Sequence, residues 1–375
     1  MKINGRSSAF IIGMALFAMF FGAGNLIYPL FIGKMSGGEM WISTSMGFLI
    51  SAVLLPFLGV VAMVLYEGNY LHFFRTIGRV PGLVLAMTLL TVWIPLGSAP
   101  RCTTLAYASI ASYTSYTPPP AVFSFLYSAL VFYVVMRKIG LLDILGRYIT
   151  PLLLTCIGII ACKGFSDLPS LTTKHLFSVP QLLNGLVEGY NTMDLIASFF
   201  FSASVIHFLN ASGSGMKQTL SLVIRSSTIG IGILAAVYMC FISLAAHHTE
   251  ILQGIPKDQL LAYLAQAILG ETWSAVAILA IVLACFSTSI ALILAYTDFL
   301  QTEVFKNTEN PQIPTFLALA VTYVMSLFGL EGIAHVTAPI LKVCYPILLG
   351  LIVYNIAKML LKREKPQVAK AKETV

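Results

Sequence analysis

The sequence predicts an all-α polytopic membrane protein of about ten transmembrane helices. Two observations carry that expectation. Hydrophobic residues make up 58% of the 375 residues and charged residues only 10%, against about 25% charged in a typical soluble domain. The mean hydropathy is +0.89, and the apolar residues gather in long runs. A soluble globule of this composition lacks the charges to cover its surface. Disorder, collagen and disulfide-stapled secreted scaffolds are excluded on the same grounds.

Ten runs reach or approach the roughly 20 apolar residues that a spanning helix needs. They lie near 8–33, 42–66, 82–111, 120–137, 141–163, 190–216, 222–246, 272–302, 312–330 and 333–360. Helices are preferred because lipid-exposed backbone must satisfy its own hydrogen bonds. A barrel would show alternating ten-residue segments, and none is present. Nothing at the N-terminus reads as a cleavable signal peptide.

Lys and Arg set the orientation. With the N-terminus in the cytoplasm, sixteen fall inside: Lys2, Arg6, Arg75, Arg79, Arg137, Lys138, Arg147, Lys217, Arg225, Lys306 and the six from Lys358 to Lys372. Four fall outside: Lys34, Lys163, Lys174 and Lys257. Both termini are therefore expected in the cytoplasm. The expected organisation is a first five-helix repeat over 1–163 and an external connection over 164–189. A second repeat over 190–360 and a basic cytoplasmic tail over 361–375 follow. Residues 67–81 suit a cytoplasmic interfacial helix, and 249–270 an amphipathic outer cap. The net charge of +7 lies in short loops and the tail, with no basic face, so nucleic acid is not an expected partner. The six cysteines form no CxxC pair and read as buried thiols, not as disulfides or metal ligands.

Span one carries the most information. Phe20-Phe21-Gly22-Ala23-Gly24-Asn25 interrupts an apolar run, and Pro29 follows. Glycine costs about 1 kcal/mol in a helix interior and proline more. Unwinding here frees backbone groups that are tolerable only where they line a cavity or bind a ligand. Freed carbonyls suit a cation, and the positive start of a second half-helix suits a carboxylate. A small-residue packing notch is the other reading of Gly22 and Gly24. Span six, five spans later and oppositely oriented, has Ser202 and Ser204 at its middle but no obvious breaker. Five spans followed by five from the other side is the pattern of an inverted repeat. Span eight adds Ser287-Thr288-Ser289, which reads as oxygen ligands for a hard cation or as helix back-bonding.

These motifs resemble a known family. FGAGNLIYP, then Pro95-Leu96 with Pro100-Arg101 and Thr104, then GYxTMDLIAS, then Pro339 with Tyr345-Pro346 are similar to the bacterial branched-chain amino acid:cation symporters (BrnQ-type, LIVCS). That family belongs to the amino acid–polyamine–organocation superfamily. The resemblance covers about residues 10 to 350. It implies a LeuT-type five-plus-five inverted repeat with helices one and six interrupted. It also implies import of leucine, isoleucine and valine across the bacterial inner membrane, driven by Na⁺ or H⁺, with no other cofactor. By resemblance, the substrate carboxylate falls to the N–H groups of Ala23 and Gly24. The cation falls to the carbonyls of Ala18 and Phe21 with Ser287 and Thr288. Asn25 takes part in a second cation site in some members, with Ser202 as its span-six partner. Phe201 and Ser204 complete the expected substrate-binding set of Gly22, Ala23, Gly24, Asn25 and Ser202. The sequence departs from the family in four places. It ends after ten spans where members have about twelve, which leaves the oligomeric state open. Ser202 replaces a usual glycine, Cys102 a usual threonine, and Lys342 and His335 stand where the family is apolar.

Charged groups inside spans are functional candidates. Arg101 needs a partner, and Asp194 is one option. Lys342 could replace the cation or exchange a proton, which would make transport H⁺-coupled or cation-independent; snorkelling to an interface is the other reading. His207 and His335 read as core histidines or proton relays, and His247-His248 as a solvated outer loop. A channel or a membrane enzyme are the competing classes. Against the enzyme, no HExxH, GxSxG or Walker motif occurs.

Overall fold

The computed structural model describes residues 5–37, 40–114, 117–137, 148, 150–166, 177–211, 215–305 and 310–372. Among them every regular element is helical. We name the main ones α1 (Gly5–Phe20), α2 (Ala23–Met35), α3 (Trp41–Leu65), α4 (Tyr70–Phe74), α5 (Arg79–Ala111), α6 (Pro120–Met136) and α7 (Thr150–Ser166). There follow α8 (Val179–Tyr190), α9 (Asp194–Ala211), α10 (Met216–His247), α11 (Leu260–Phe299), α12 (Gln312–Ser326) and α13 (Gly329–Lys372).

Two pairs are single spans broken in the middle. The α1–α2 pair bends by 71° and the α8–α9 pair by 42°. Five further helices among the described residues are long and apolar enough to cross a bilayer, and α6, α7 and α12 are shorter apolar helices. Together these correspond to the ten expected spans, although 141–147 and 149 at the start of span five lie outside the described residues. So do Lys2, Lys138, Arg147, Lys174 and Lys306.

Two boundaries differ from the sequence reading. Residues 164–189 were expected to be an external connection, yet α8 occupies 179–190 and is the first half of span six. Its two glycines permit this. A Cβ on Gly185 would overlap the Thr44 carbonyl, and one on Gly189 the Ser51 hydroxyl, so α8 lies backbone to backbone on α3. The second repeat therefore begins before residue 190. The basic tail from 361 continues span ten as helix, since α13 runs to Lys372.

The broken spans and their companions form one group: span one packs along span seven, and span two along both halves of span six. Span three packs along span eight, and spans four and five brace that second group through spans nine and eight. In α5, Pro95 and Pro100 remove two backbone donors, and the helix widens to a π-turn over Ile94–Ser98. The segment expected as an outer cap does cover the end of α2. Lys34 Nζ donates to the Ile255 carbonyl at 3.1 Å, and Lys257 Nζ sits 3.6 Å over the Phe31 ring. On the opposite face α4 is tied to span ten. Asn355 accepts from Tyr66 at 2.8 Å and donates to the Phe73 carbonyl at 3.3 Å.

All six cysteines are free thiols; Cys102, Cys156, Cys285 and Cys344 are buried, while Cys162 is exposed and Cys240 intermediate. The adjacent histidines are not a solvated loop. His248 is buried with Nδ1 at the Leu244 carbonyl, and His247 packs against Trp41. The helix simply runs further than its hydropathy suggests.

Candidate functional site

The break in span one frees the groups that its sequence advertises. Gly22 N–H turns back to the Phe20 carbonyl at 2.8 Å and to Asn25 Oδ1 at 3.2 Å. It therefore does not reach the carbonyl of Ala18, four residues earlier, as a helix would require. Ala18 and Phe21 instead face span eight. Thr288 Oγ1 lies 3.1 Å from the Phe21 carbonyl and 3.5 Å from the Ala18 carbonyl. The C-terminal, negative end of α1 thus meets a hydroxyl, three oxygens converging as a hard cation prefers. Ser287, expected beside Thr288, donates back to Ala284 O at 2.9 Å. It spends its hydroxyl on its own helix, and of that expected pair Thr288 alone is seen bonded to the span-one carbonyls.

The start of α2 faces a small cavity lined by Gly22, Ala23, Gly24, Asn25, Cys102, Thr192 and Asp194 on its polar side. Met19, Phe20, Trp93, Ala197, Phe201 and Leu292 line its apolar side. The first N–H groups of a helix have no intrahelical acceptor and carry the positive end of its dipole. Both glycines of the break are needed sterically. A Cβ on Gly22 would stand 2.8 Å from Thr288 Cγ2, and one on Gly24 would stand 3.1 Å from the Thr192 carbonyl oxygen. The cavity measures about 20 Å³, room for one water and not for an amino acid. A larger cleft of about 550 Å³ opens on the face of α4, lined by Tyr70, Ser204, His207 and Asp298 among others. An aromatic layer lies between the two. Phe20 packs edge-on to Phe201, and Trp93 packs on Phe200 and Phe201 at 5.8 and 5.1 Å between ring centres.

Span six breaks in another place than its hydroxyls suggested. The chain leaves the helix at Asn191–Met193, with Met193 at φ 65°. Ser202 and Ser204 lie a turn or more inside α9 and back-bond to Ser198 at 2.5 Å and Phe200 at 2.9 Å. Neither lines the central cavity, although Phe201 between them does. The break carbonyls are satisfied from outside. Arg101 donates to Asn191 O at 2.8 Å and to Thr337 Oγ1 at 3.2 Å, with its guanidinium 5.6 Å over the Tyr28 ring. Tyr345 donates to Tyr190 O at 2.8 Å. Arg101 thus does not pair with Asp194, as the sequence allowed.

Asp194 opens α9 and is bonded to the span-one break. Asn25 Nδ2 donates to both carboxylate oxygens at 2.9 Å, and Tyr238 OH donates to Oδ2 at 2.5 Å. Asn25 Nδ2 also touches Tyr238 OH. With its nitrogen towards Asp194 and its oxygen on Gly22 N–H, Asn25 does not offer an oxygen to a second cation, and Ser202 is not its partner. Lys342 and His335, one exposed face of α13 seven residues apart, do not reach the cavity. An ammonium on the outer face of span ten has solvent or headgroups to reach and no buried anion to meet. The sequence reading missed Tyr238, Thr192, Trp93 and Thr337 as site residues. Asp194 carried a signal, a carboxylate in an apolar span; Tyr238, one of 16 tyrosines, carried none.

The comparisons agree with this architecture. Residues 5–372 match the family model for branched-chain amino acid transport proteins. The chain is 30% identical over 359 residues to the branched-chain amino acid permease BrnQ of Bacillus subtilis, covering 91% of this chain and 79% of that one. It is 28% identical over 367 residues to the BrnQ permease of Corynebacterium glutamicum, covering 96% and 83%. Among solved structures, the inward-facing conformation of Mhp1 superposes with a TM-score of 0.60 at 13% identity, covering 92% of this chain and 76% of that one. A Na⁺-coupled sialic acid symporter in an outward-open state gives 0.56 at 14%, covering 93% and 76%. Both neighbours are LeuT-fold transporters, and the likeness shows that fold for this chain. A match along nearly the whole length, relatives that are permeases rather than enzymes, and the paired breaks lead to one statement: the chain belongs to the branched-chain amino acid transport protein family.

Proposed function

We propose that this protein imports leucine, isoleucine and valine by cation symport, with Na⁺ as the coupling ion. The observation that carries the reading is the convergence of Thr288 on the Ala18 and Phe21 carbonyls at the same break that opens α2. One break offers a cation its oxygens at the end of α1. It offers a carboxylate the N–H groups of Ala23 and Gly24 at the start of α2. The aliphatic side chain packs against Met19, Phe20, Trp93, Phe201 and Leu292, where each methylene is worth about 0.8 kcal/mol. Both ligands touch span one, so loading one orders the backbone that the other needs.

The cavity of about 20 Å³ is too small for leucine, so binding requires the group of spans one, two, six and seven to move against the rest. The cytoplasmic cleft and the aromatic layer of Phe20, Trp93, Phe200 and Phe201 mark the exit path and its barrier. The protein sits in the bacterial inner membrane with both termini inside, following the sixteen-to-four distribution of cations.

Labelled leucine uptake into proteoliposomes tests this, with a Na⁺ gradient imposed in one set and an H⁺ gradient in another. Accumulation above equilibrium under Na⁺ alone is the expected result. Accumulation under H⁺ alone overturns the coupling ion, and equilibration without accumulation overturns symport in favour of a passive route.

A further inference from the structure

We propose that the Asp194 carboxylate is the acceptor for the substrate's α-ammonium group, so that the site selects an amino acid against the acid lacking that charge. The inference rests on the amino acid reading above and adds the charge that the reading leaves unmatched. A zwitterion brings one anion and one cation to the cavity. The anion has the start of α2. Among the residues lining the cavity, the cation meets a single carboxylate, Asp194.

Asp194 is 2% exposed. Its carboxylate accepts from Asn25 and Tyr238, and its backbone N–H donates to the Thr192 hydroxyl; all three partners are neutral. Among the described residues no Lys, Arg or His forms an ion pair with it. The nearby cation, Arg101, is committed to Asn191 O, Thr337 and the Tyr28 ring. A buried carboxylate held only by neutral donors keeps its charge uncompensated, which is costly inside a membrane. Its hydrogen bonds fix its direction without using it up. Oδ2 accepts from Asn25 and Tyr238, whereas Oδ1 accepts from Asn25 alone. A carboxylate has about four acceptor positions, so Oδ1 retains one.

A bound metal ion fits the same carboxylate poorly. The group nearest it from span one is the Asn25 amide nitrogen, fixed by Gly22 N–H on the amide oxygen. The Tyr238 oxygen is turned to donate. Metal ions need converging oxygens, and here donors converge. An ammonium brings donors of its own and needs only the free acceptor position. The bonds also place the acceptor correctly. Asn25 ties Asp194 to the same turn that presents the Ala23 and Gly24 N–H groups, so anion and cation of one α-carbon are met by one rigid unit.

The test measures binding of leucine and of 2-hydroxy-4-methylpentanoate, which replaces the ammonium by a hydroxyl, to the purified full-length protein. In the unaltered protein leucine is expected to bind about 100-fold or more tighter, since a site built for an N–H donor strongly rejects the analogue without it. Asp194→Asn is expected to weaken leucine by about 100-fold and the hydroxy acid by less than about threefold, so the preference collapses. A purely structural role would weaken both by one factor and leave the preference intact; that result, or leucine binding unchanged, overturns the proposal. Asp194→Glu keeps the charge and one more methylene, and retains a preference of about tenfold or more. If that variant loses the preference while remaining folded, the proposal also fails. If the unaltered protein binds no leucine but binds another amino acid, the substrate reading fails separately, and the same ratio is taken for that amino acid and its hydroxy acid.

Discussion

The two breaks do the same job by opposite means. In span one, the bend of 71° is built from local residues: Gly22 and Gly24 fit beneath Thr288 and Thr192, where no Cβ has room. In span six, the bend of 42° contains no glycine at Asn191-Thr192-Met193 and holds Met193 at a positive φ. Its free carbonyls are met by Arg101 of span three and Tyr345 of span ten. The first break is a property of its own sequence. The second is held open by side chains about 90 and 155 residues away in the chain. Glycine makes a break permissible, whereas remote donors hold one open in a stretch that contains no glycine.

The contrast makes substitutions in the two breaks fail differently. Arg101→Ala should be the most damaging, with leucine uptake down about 100-fold and the purified protein melting earlier, because a charged donor to a buried carbonyl is worth about 1.5–3 kcal/mol. If uptake survives with span six intact, the break does not depend on span three. Gly22→Ala should lower uptake by about 30-fold through overpacking against Thr288, at a cost of about 1–3 kcal/mol. Its melting temperature should fall less than that of Arg101→Ala. Thr288→Ala removes the Oγ1 that faces the Ala18 and Phe21 carbonyls, and with it the Cγ2 that packs over Gly22. The Na⁺ concentration for half-maximal uptake should rise about tenfold, while leucine uptake at saturating Na⁺ is retained. A Na⁺ dependence unaltered by this change would remove span eight from the cation site. Tyr345→Phe should cost about 1 kcal/mol, read as uptake about fivefold slower, since a single neutral bond to Tyr190 O is lost. The smallest effect belongs to Lys342→Gln. With the side chain on the exposed face of span ten, uptake and its ion dependence should stay within about twofold. A change in the ion dependence of uptake in that variant would return the charge coupling to Lys342.

The candidate site was legible in proportion to how local its chemistry is. The GxGN turn announces its own unwinding, and with it the Ala18, Phe21, Ala23 and Gly24 backbone groups. Three hydroxyls in an aliphatic span are unusual, and the family resemblance points to Ser287 and Thr288 among them, but spacing does not say which one faces span one. Ser287 faces back to Ala284 and Thr288 faces across, a matter of helix rotation. Ser202 and Ser204 misled for the same reason: a hydroxyl at mid-span satisfies itself on the preceding turn unless a partner is brought to it. The true break lay eleven residues earlier, in a stretch whose residues favour neither opening nor closing. Asp194 was visible as a charge out of place, and its partner was not. Asn25 is 169 residues away and Tyr238 44 residues away, and neither has a pattern that points to it.

The sequence by itself determined that the chain lives in a bilayer, that it crosses it several times, and where span one opens. Each follows from transfer free energy or backbone preference acting over a few adjacent residues. Only the tertiary structure decided where span six opens, which hydroxyl meets the freed carbonyls, and which charges stay unpaired. Those depend on helix rotation and on packing between spans, where a buried polar group takes whichever donor the fold carries to it.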